Sequence, residues 1–379
     1  MPKKSFKIGI DARMFSDAFT GIGRYNFELT KRLFKEKSFK DQSLEWVIFL
    51  NEPQFSEFEF PAHVKKVCVN AGHYSLAEQL NFAWLLYKEK CDLVHFSHFN
   101  LPLLYWRKFV VTIHDTTISF YPGKKMNAWW RKLAYKLVIR HAVKAALHII
   151  TVSEHTKKDV IKLFGTASEK ISAIHIAPSP EFQIITDDEV TDVKQKFGLE
   201  NFILYTGNWR EHKNLVGLIE AFAALQKQPD FADLKLVITG KNDPHYPEVI
   251  ETIKTHNIES SVLLVGLVNI KDLIALFNAA QIYVCPSFYE GFGLPPLEAM
   301  ACGTPVAVSD AASLPEVCGK AAEYFNPHSL DDMTQVLDKL LHNREKQAAL
   351  KALGLEHINN FSWDQTANKT LEVYKQALS

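Results

Sequence analysis

Cys285-Pro286-Ser287-Phe288-Tyr289-Glu290-Gly291-Phe292-Gly293-Leu294-Pro295-Pro296-Leu297-Glu298-Ala299-Met300 reads as a strand end passing through a glycine-bearing turn into a helix. Pro295 and Pro296 suit the first turn of that helix, where a missing N–H costs little. Gly291 and Gly293 let the backbone come close to a ligand. The N–H groups at the helix start favour an anion such as a diphosphate. Glu290 precedes the turn and Glu298 lies inside the helix. Two carboxylates bracketing an anion site repel phosphate, but they make sense as acceptors of hydrogen bonds from sugar hydroxyls. The spacing alone is equally met by an ordinary strand–turn–helix with solvated acids.

Outward from this stretch, short apolar runs alternate with longer amphipathic ones. Runs at 202–205, 234–239, 262–265, 282–285 and 306–309 read as strands, with helical spacing at 214–226, 246–256, 270–279 and 330–341. A first half repeats the pattern. Its strands are at 6–10, 46–50, 64–69, 93–96, 109–113 and 148–152, and its helices at 25–34, 76–89, 127–146 and 154–164. Ser153 is a plausible N-cap for the last of these helices. Such alternation predicts an α/β chain with parallel sheets covered by helices. The pattern weakens over 177–199, where Pro178, Pro180 and an acidic run mark a connector. Two doubly wound, Rossmann-like halves follow, 1–179 and 180–379. Ligands of such sheets bind beyond the carboxyl ends of the strands, which directs attention to the residues after each strand and to a cleft between two facing domains.

The 379 residues, 47% hydrophobic and 23% charged, are those of a globular protein and exclude a disordered or collagen-like chain. Forty-three basic residues balance forty-three acidic ones, which argues against general nucleic-acid binding. Five dispersed cysteines without a C-x-x-C pair predict reduced thiols and a cytoplasmic protein. No apolar run is long enough to span a membrane, and the apolar stretch at the N-terminus stops at Asp11, too soon for a signal peptide. G-x-G-x-x-G is incomplete at Gly21-Ile22-Gly23, and there is no P-loop, G-x-S-x-G or H-E-x-x-H. His95 and His98 lack partners at ligand spacing, so no metal site and no cofactor are expected.

Glu290-Gly291-Phe292-Gly293-Leu294-Pro295-Pro296-Leu297-Glu298, followed by A-x-x-x-G-x-P-V in the chain, resembles the E-x7-E signature of the family-4 retaining glycosyltransferases, which have the GT-B fold. Further segments are similar to that family along nearly the whole chain. They include Gly21-Ile22-Gly23-Arg24-Tyr25, Ser75-Leu76-Ala77-Glu78-Gln79, Thr112-Ile113-His114-Asp115, Ile150-Thr151-Val152-Ser153-Glu154, Tyr205-Thr206-Gly207 with Lys213-Asn214-Leu215, Ser313-Leu314-Pro315-Glu316-Val317 and Phe361-Ser362-Trp363. The similarity is greatest to the mannosyltransferase branch that builds bacterial surface polysaccharides.

The resemblance implies roles. Glu298 would bind the ribose hydroxyls of a nucleotide, and Glu290 would lie beside the donor sugar. Backbone N–H groups of Phe292, Gly293 and Leu294, next to Gly291, would hold sugar and diphosphate. Lys213, after the Gly207 turn, would neutralise the departing diphosphate, an electrostatic role that takes the place of a metal. Arg210 is displaced from the family's usual arginine position, which puts its phosphate contact in doubt. His114 would contact the donor sugar, with Asp115 orienting it or capping the next segment. Gly21 and Gly23 would admit the diphosphate or acceptor, unless they only make a tight turn before the next helix, and Arg24 would face acceptor or phosphate. Glu316 would line the nucleotide side or support its loop. The C-terminal segment 361–379 would pack back on the acceptor-side domain, 1–179, leaving 180–360 as the nucleotide-sugar-binding domain.

Between Thr116 and Ser153 there is no acidic residue, while Lys124, Lys125, Arg131, Lys132, Lys136, Arg140 and Lys144 accompany Trp129 and Trp130. This stretch, 124–144, suits peripheral contact with an anionic membrane that carries a lipid-linked acceptor. It equally suits a solvated basic helix with its tryptophans in the core. The expected function is retaining, metal-independent transfer of a hexose, with GDP-mannose as the donor implied by resemblance, to a growing glycan such as a lipopolysaccharide. A UDP- or ADP-sugar donor, a nucleotide-sugar epimerase and a non-catalytic glycan-binding subunit are the alternatives. Intact Glu290, Glu298, Lys213 and His114 argue against the last.

Overall fold

The computed structural model describes residues 5–16, 21–36, 38–39, 42–72, 75–126 and 128–379. They divide into two compact units, one of 1–116, 125–176 and 362–379, the other of 117–124 and 177–361.

The first unit is built on an eight-stranded sheet. Its strands are β1 (Phe6–Asp11), β2 (Ser38–Phe39), β3 (Gln42–Leu50), β4 (Val64–Cys68), β5 (Leu93–Phe96), β6 (Phe109–Ile113), β7 (His148–Thr151) and β8 (Ile171–Ala173). The order is β3-β1-β5-β6-β7-β8, with both β2 and β4 pairing β3. All pairings are parallel except that of β2. Every residue of β5 and β6 is buried. That is why these strands are nearly continuous apolar runs rather than alternating ones, interrupted by the buried, mutually hydrogen-bonded His95 and Thr112.

The second unit holds a fully parallel six-stranded sheet of β9 (Phe202–Thr206), β10 (Lys235–Thr239), β11 (Val262–Gly266), β12 (Ile282–Cys285), β13 (Val306–Ser309) and β14 (Glu323–Phe325). Its order is β11-β10-β9-β12-β13-β14. Both sheets are therefore doubly wound. The strand order reverses between β1 and β5 in one and between β9 and β12 in the other, and ligands of open α/β sheets bind at such points. Helix Leu215–Leu225 buries Leu218, Ile219, Phe222 and Leu225 in one core with Ile203, Leu236 and Ile238. Each such side chain contributes about 1.5–3 kcal/mol when removed from water.

The sequence boundaries need several corrections. Residues 117–124 interrupt the expected 1–179 domain and join the second unit. Packing explains this. Tyr121 stacks on Phe288 with centroids 6.4 Å apart, Phe120 meets Tyr289 at 5.5 Å, and Lys124 Nζ donates to Glu248 at 2.8 Å. Gly21 and Gly23 do not form a loop before a helix; they are the first turn of helix Gly21–Leu33. Lys213 ends a single 3-10 turn, Glu211–Lys213, and Asn214, at φ 51°, redirects the chain into the following helix. The segment expected as a helix over 76–89 contains a π-helical turn, Glu78–Phe82, before Ala83–Glu89. The helix expected over 127–146 is Trp129–Ala145, and Asn127 lies outside the described residues.

The C-terminal helix Trp363–Leu378 lies on the first unit. Trp363 packs on Tyr25 at 6.1 Å, Arg32 Nε donates to Asp364 at 2.9 Å, and Thr366 Oγ1 donates to the His175 carbonyl at 2.7 Å. Among the described residues no helix is long and apolar enough to cross a membrane.

Candidate active site

In the second unit the residues after β9 and β12 meet at the switch point. The Phe288 N–H donates to the His212 carbonyl at 2.8 Å, joining the two loops. Lys213 Nζ donates to Glu290 Oε1 at 2.7 Å, and Ser287 Oγ donates to the same oxygen at 2.7 Å. Burial raises the Glu290 carboxyl, but the Lys213 charge and the hydrogen bonds from Lys213 and Ser287 outweigh it, so the group lies below the usual carboxylate range. Glu290 is thus an anion at neutral pH. The neighbouring Cys285 thiol is pushed up to about 12 by burial and by Glu290, so it stays protonated and is no nucleophile.

The turn after Glu290 is clamped from behind. Ser313 Oγ donates to the carbonyls of Glu290 and Phe292, both at 2.9 Å. Gly293 has φ 96°, and a Cβ there would lie 2.7 Å from Leu314 Cδ2. Glycine alone fits both the backbone and the space. Helix Leu294–Ala301 starts immediately afterwards. Because Pro295 and Pro296 lack an N–H, Gly293 and Leu294 supply the backbone donors at the helix start, where the dipole favours an anion. Glu298 follows one turn into the helix, half-buried, and Gly291 is half-buried too, while Phe292 is buried against Phe361. An ammonium, a helix start and two half-buried carboxylates in one unit can hold a molecule that is anionic at one end and hydroxylated elsewhere.

Gly207 and Gly240 pack backbone to backbone at the ends of β9 and β10, and a Cβ on Gly240 would collide with the Gly207 carbonyl. Arg210 is committed to Asp243, which also accepts from His245 Nδ1 at 2.8 Å. Its guanidinium therefore braces the loop after β10. Glu316 is half-buried in the short helix Leu314–Cys318.

In the first unit His114 directly follows β6. Its Nε2 lies 2.9 Å from the Ser97 carbonyl, and its ring meets Tyr25 edge-on at 4.8 Å. A carbonyl only accepts, so Nε2 carries the proton and Nδ1 holds the lone pair of a neutral ring. Burial lowers the pKa of this imidazole against the opposing effects of Ser97 and Asp115. Behind it runs a buried chain: Tyr374 OH to His95 Nδ1 at 2.6 Å, His95 Nε2 to Thr112 Oγ1 at 2.8 Å, and Thr112 Oγ1 to Tyr25 OH at 3.0 Å. His95 is therefore a structural histidine with both nitrogens occupied. Among the described residues no group of three or more His, Cys, Asp or Glu side chains is placed to hold a metal ion.

Gly21 is exposed, Gly23 is buried, and Arg24 is buried in the same helical turn. Asp115 is half-buried beside His114. Sequence reasoning missed Ser287, Ser313 and the buried cluster of Asp11, Arg13, Glu78 and Asn100. In that cluster Arg13 bonds both oxygens of Asp11, at 2.8 and 2.9 Å, and Glu78 at 2.5 Å, beside the end of β1. The serine three residues before Glu290 was a readable signal. The Arg13 cluster joins residues too distant in sequence to leave one.

Two protein-family models match the chain in sequence order. Residues 20–177 match the model described as Glycosyltransferase Family 4, and residues 187–356 match Glycosyl transferases group 1. The chain is 29% identical over 373 residues to the O-antigen chain mannosyltransferase B of Escherichia coli, covering 94% of this chain and 96% of that protein. It is 33% identical over 240 residues to the serotype-specific mannosyltransferase WbdA of Escherichia coli, a match that covers 61% of this chain but only 29% of that longer protein. Among solved structures, sucrose-phosphate synthase from Thermosynechococcus elongatus superposes with a TM-score of 0.76 at 19% identity, covering 98% of each chain, a likeness of fold.

Proposed function

Because this chain is a family-4 glycosyltransferase of the GT-B fold, carrying that family's two domains in order, we propose that it transfers mannose from GDP-mannose, with retention and without a metal ion, to a growing surface-polysaccharide glycan. The Lys213–Glu290 pair beside the Gly293 helix start carries this reading. The bond from the anomeric carbon to the diphosphate oxygen breaks, and one from that carbon to an acceptor hydroxyl oxygen forms on the same face. The acceptor proton leaves with the departing phosphate oxygen.

Charge grows on the diphosphate as that bond breaks. Lys213 and the Gly293 and Leu294 N–H groups stabilise it electrostatically in place of a cation. Glu290, held anionic by Lys213 and Ser287, accepts hydrogen bonds from the sugar hydroxyls, and Glu298 accepts those of the ribose. His114 offers its Nδ1 lone pair to a hydroxyl of the sugar. Arg210, engaged with Asp243, takes no phosphate in this reading. Gly21 and Gly23 admit the diphosphate or the acceptor, and Arg24 and Asp115 belong to the acceptor side.

The five free cysteines, four of them buried, fit a cytoplasmic enzyme. The basic stretch 124–144 fits peripheral contact with the inner face of an anionic membrane, and no nucleic acid is a partner. The mannosyltransferase names of the relatives support the donor and the polysaccharide acceptor.

The test is a thermal-shift panel of GDP, UDP, ADP and their sugar conjugates without metal, followed by transfer to mannoside acceptors. A ligand at a hundred times its Kd stabilises the fold by about 2.7 kcal/mol. A selective GDP and GDP-mannose shift with an α-linked product in EDTA is expected. A selective UDP or ADP shift discards mannose, an epimerised donor without acceptor discards transfer, and binding without turnover on any acceptor favours a non-catalytic subunit.

A further inference from the structure

The tryptophans of the basic helix are not in the core. Trp129 is 75% and Trp130 54% exposed, and Leu133 and Leu137 are about half exposed. At 3.6 residues per turn these four lie on the arc opposite the buried Tyr135, Val138 and Ala142. Arg140 and Lys144 share that arc and Lys136 borders it, and all three are exposed. Lys124 is not part of this face, since it is paired with Glu248 in the other unit.

A second apolar row lies beside it. Along the helical segment that includes Glu78–Phe82 and Ala83–Glu89, the outward residues are Leu76 at 81%, Leu80 at 59%, Trp84 at 61% and Tyr87 at 36% exposure. The loop after β5 links the two rows. Tyr87 OH donates to the Leu104 carbonyl at 3.0 Å, while the exposed Trp106 packs edge-on against His141 of the basic helix at 4.8 Å. Lys88 lies over the Trp84 ring and Arg107 over Tyr87. The acids of this second segment are turned away: Glu78 is buried on Arg13, and Glu89 is buried on Lys7 and Lys65. From Leu93 to His114, and again from Lys125 to Ser153, there is no Asp or Glu.

We propose that these two rows form one docking face for an anionic lipid surface, with the leucine and tryptophan side chains entering the headgroup boundary and the lysines and arginines at the phosphates. This deepens the peripheral contact of the proposed function and rests on it, by adding a second segment to the basic helix. Scattered exposed apolar residues are ordinary, but a contiguous patch rimmed by charge marks an interaction site. Tryptophan, leucine and cationic side chains together on in-plane helices are the composition that lies in a bilayer interface. Charge decides the occupant. A second copy related by a two-fold axis would set this acid-free face against itself, whereas anionic lipid complements it.

The test is flotation of the full chain with phosphatidylcholine vesicles and with vesicles containing phosphatidylglycerol, at low and high salt, without donor or acceptor. Binding to the anionic vesicles alone, weakened by salt, is expected. The triple variant Lys136→Ala, Arg140→Ala, Lys144→Ala should lower partitioning on the order of a hundredfold. The pair Leu80→Ser, Trp84→Ser should lower it roughly tenfold or more, and this pair tests the second row. Melting temperature and the nucleotide-induced thermal shift monitor folding of each variant. Absence of binding by the wild-type chain, equal binding to neutral vesicles, indifference to the Leu80/Trp84 pair, or dimers lost in the same variants would each overturn the proposal. None of these outcomes depends on the donor or on turnover.

Discussion

Lys213 Nζ and Glu290 Oε1 are 2.7 Å apart across the point where the strand order of the second sheet reverses, although 77 residues separate them in sequence. Lys213 keeps Glu290 charged before any substrate arrives. Lys213→Ala removes the cation proposed to meet the leaving diphosphate and should lower kcat by about a hundredfold to a thousandfold, the usual effect of losing one preorganised charge-stabilising group. Glu290→Gln should also act mainly on kcat. Because the two form one unit, the double variant should lose much less than the product of the single losses. Steady-state kinetics of the four proteins checks this, and multiplicative losses would show that the residues act independently.

Glu298 sits in helix Leu294–Ala301, and the proposed function assigns it to the nucleotide ribose alone. Glu298→Ala should therefore raise the Kd for GDP-mannose about tenfold to a hundredfold, as for lost hydrogen bonds to a charged acceptor, with kcat at saturation less affected. Calorimetric titration decides it. Wild-type donor affinity in the variant removes the ribose assignment.

The Gly293 position makes a stability prediction. Its φ of 96° and the 2.7 Å approach of Leu314 Cδ2 to an added Cβ oppose any side chain. Gly293→Ala should destabilise the second unit by about 1–3 kcal/mol and displace the turn that carries Glu290. A lowered melting temperature together with weaker GDP binding is expected. Gly21→Ala, where a Cβ meets nothing within 4 Å among the described residues, should keep the wild-type melting temperature.

The fully buried central strands were the most legible part of the fold. Leu93–Phe96 and Phe109–Ile113 read correctly from end to end, because a strand covered on both faces is a nearly unbroken apolar run, here interrupted by His95 and Thr112. The edge strands Ile171–Ala173 and Glu323–Phe325 were not read, since three residues with polar members carry no periodicity. At the candidate site, Glu290, Gly293 and Glu298 sit in one local segment, so their spacing was visible. The contacts that shape the segment come from elsewhere. Lys213 and Ser313 reach it from other loops, and Tyr121 reaches Phe288 from the first half of the chain. Sequence separation hides such pairings, and hydropathy does not reveal them.

The buried histidines set a pH dependence whose sign is fixed by the fold. His95 is brought down from 6.5 to about 3 by burial and by neighbouring His114, and His114 is also lowered by burial. The unfolded chain, with His95 near 6.5, binds more protons than the folded chain between pH 6.5 and about 3, so stability rises with pH across that window. The contribution is fully present above 6.5 and is lost as pH falls toward 3, at about 1.4 kcal/mol per pH unit for this one group. Glu290 acts in the same direction at lower pH. Its folded pKa lies below 4.5, so its contribution is present above 4.5 and disappears as pH falls through the folded value. Denaturant unfolding of the wild type at several values between pH 7 and 4.5 should show the slope. His95→Gln, which keeps a side chain able to bond Tyr374 or Thr112 but cannot titrate, should flatten it by about one proton's worth. An unchanged slope in a folded His95→Gln variant would mean that His95 is not the buried neutral base that holds Thr112 and, through Tyr25, the ring of His114.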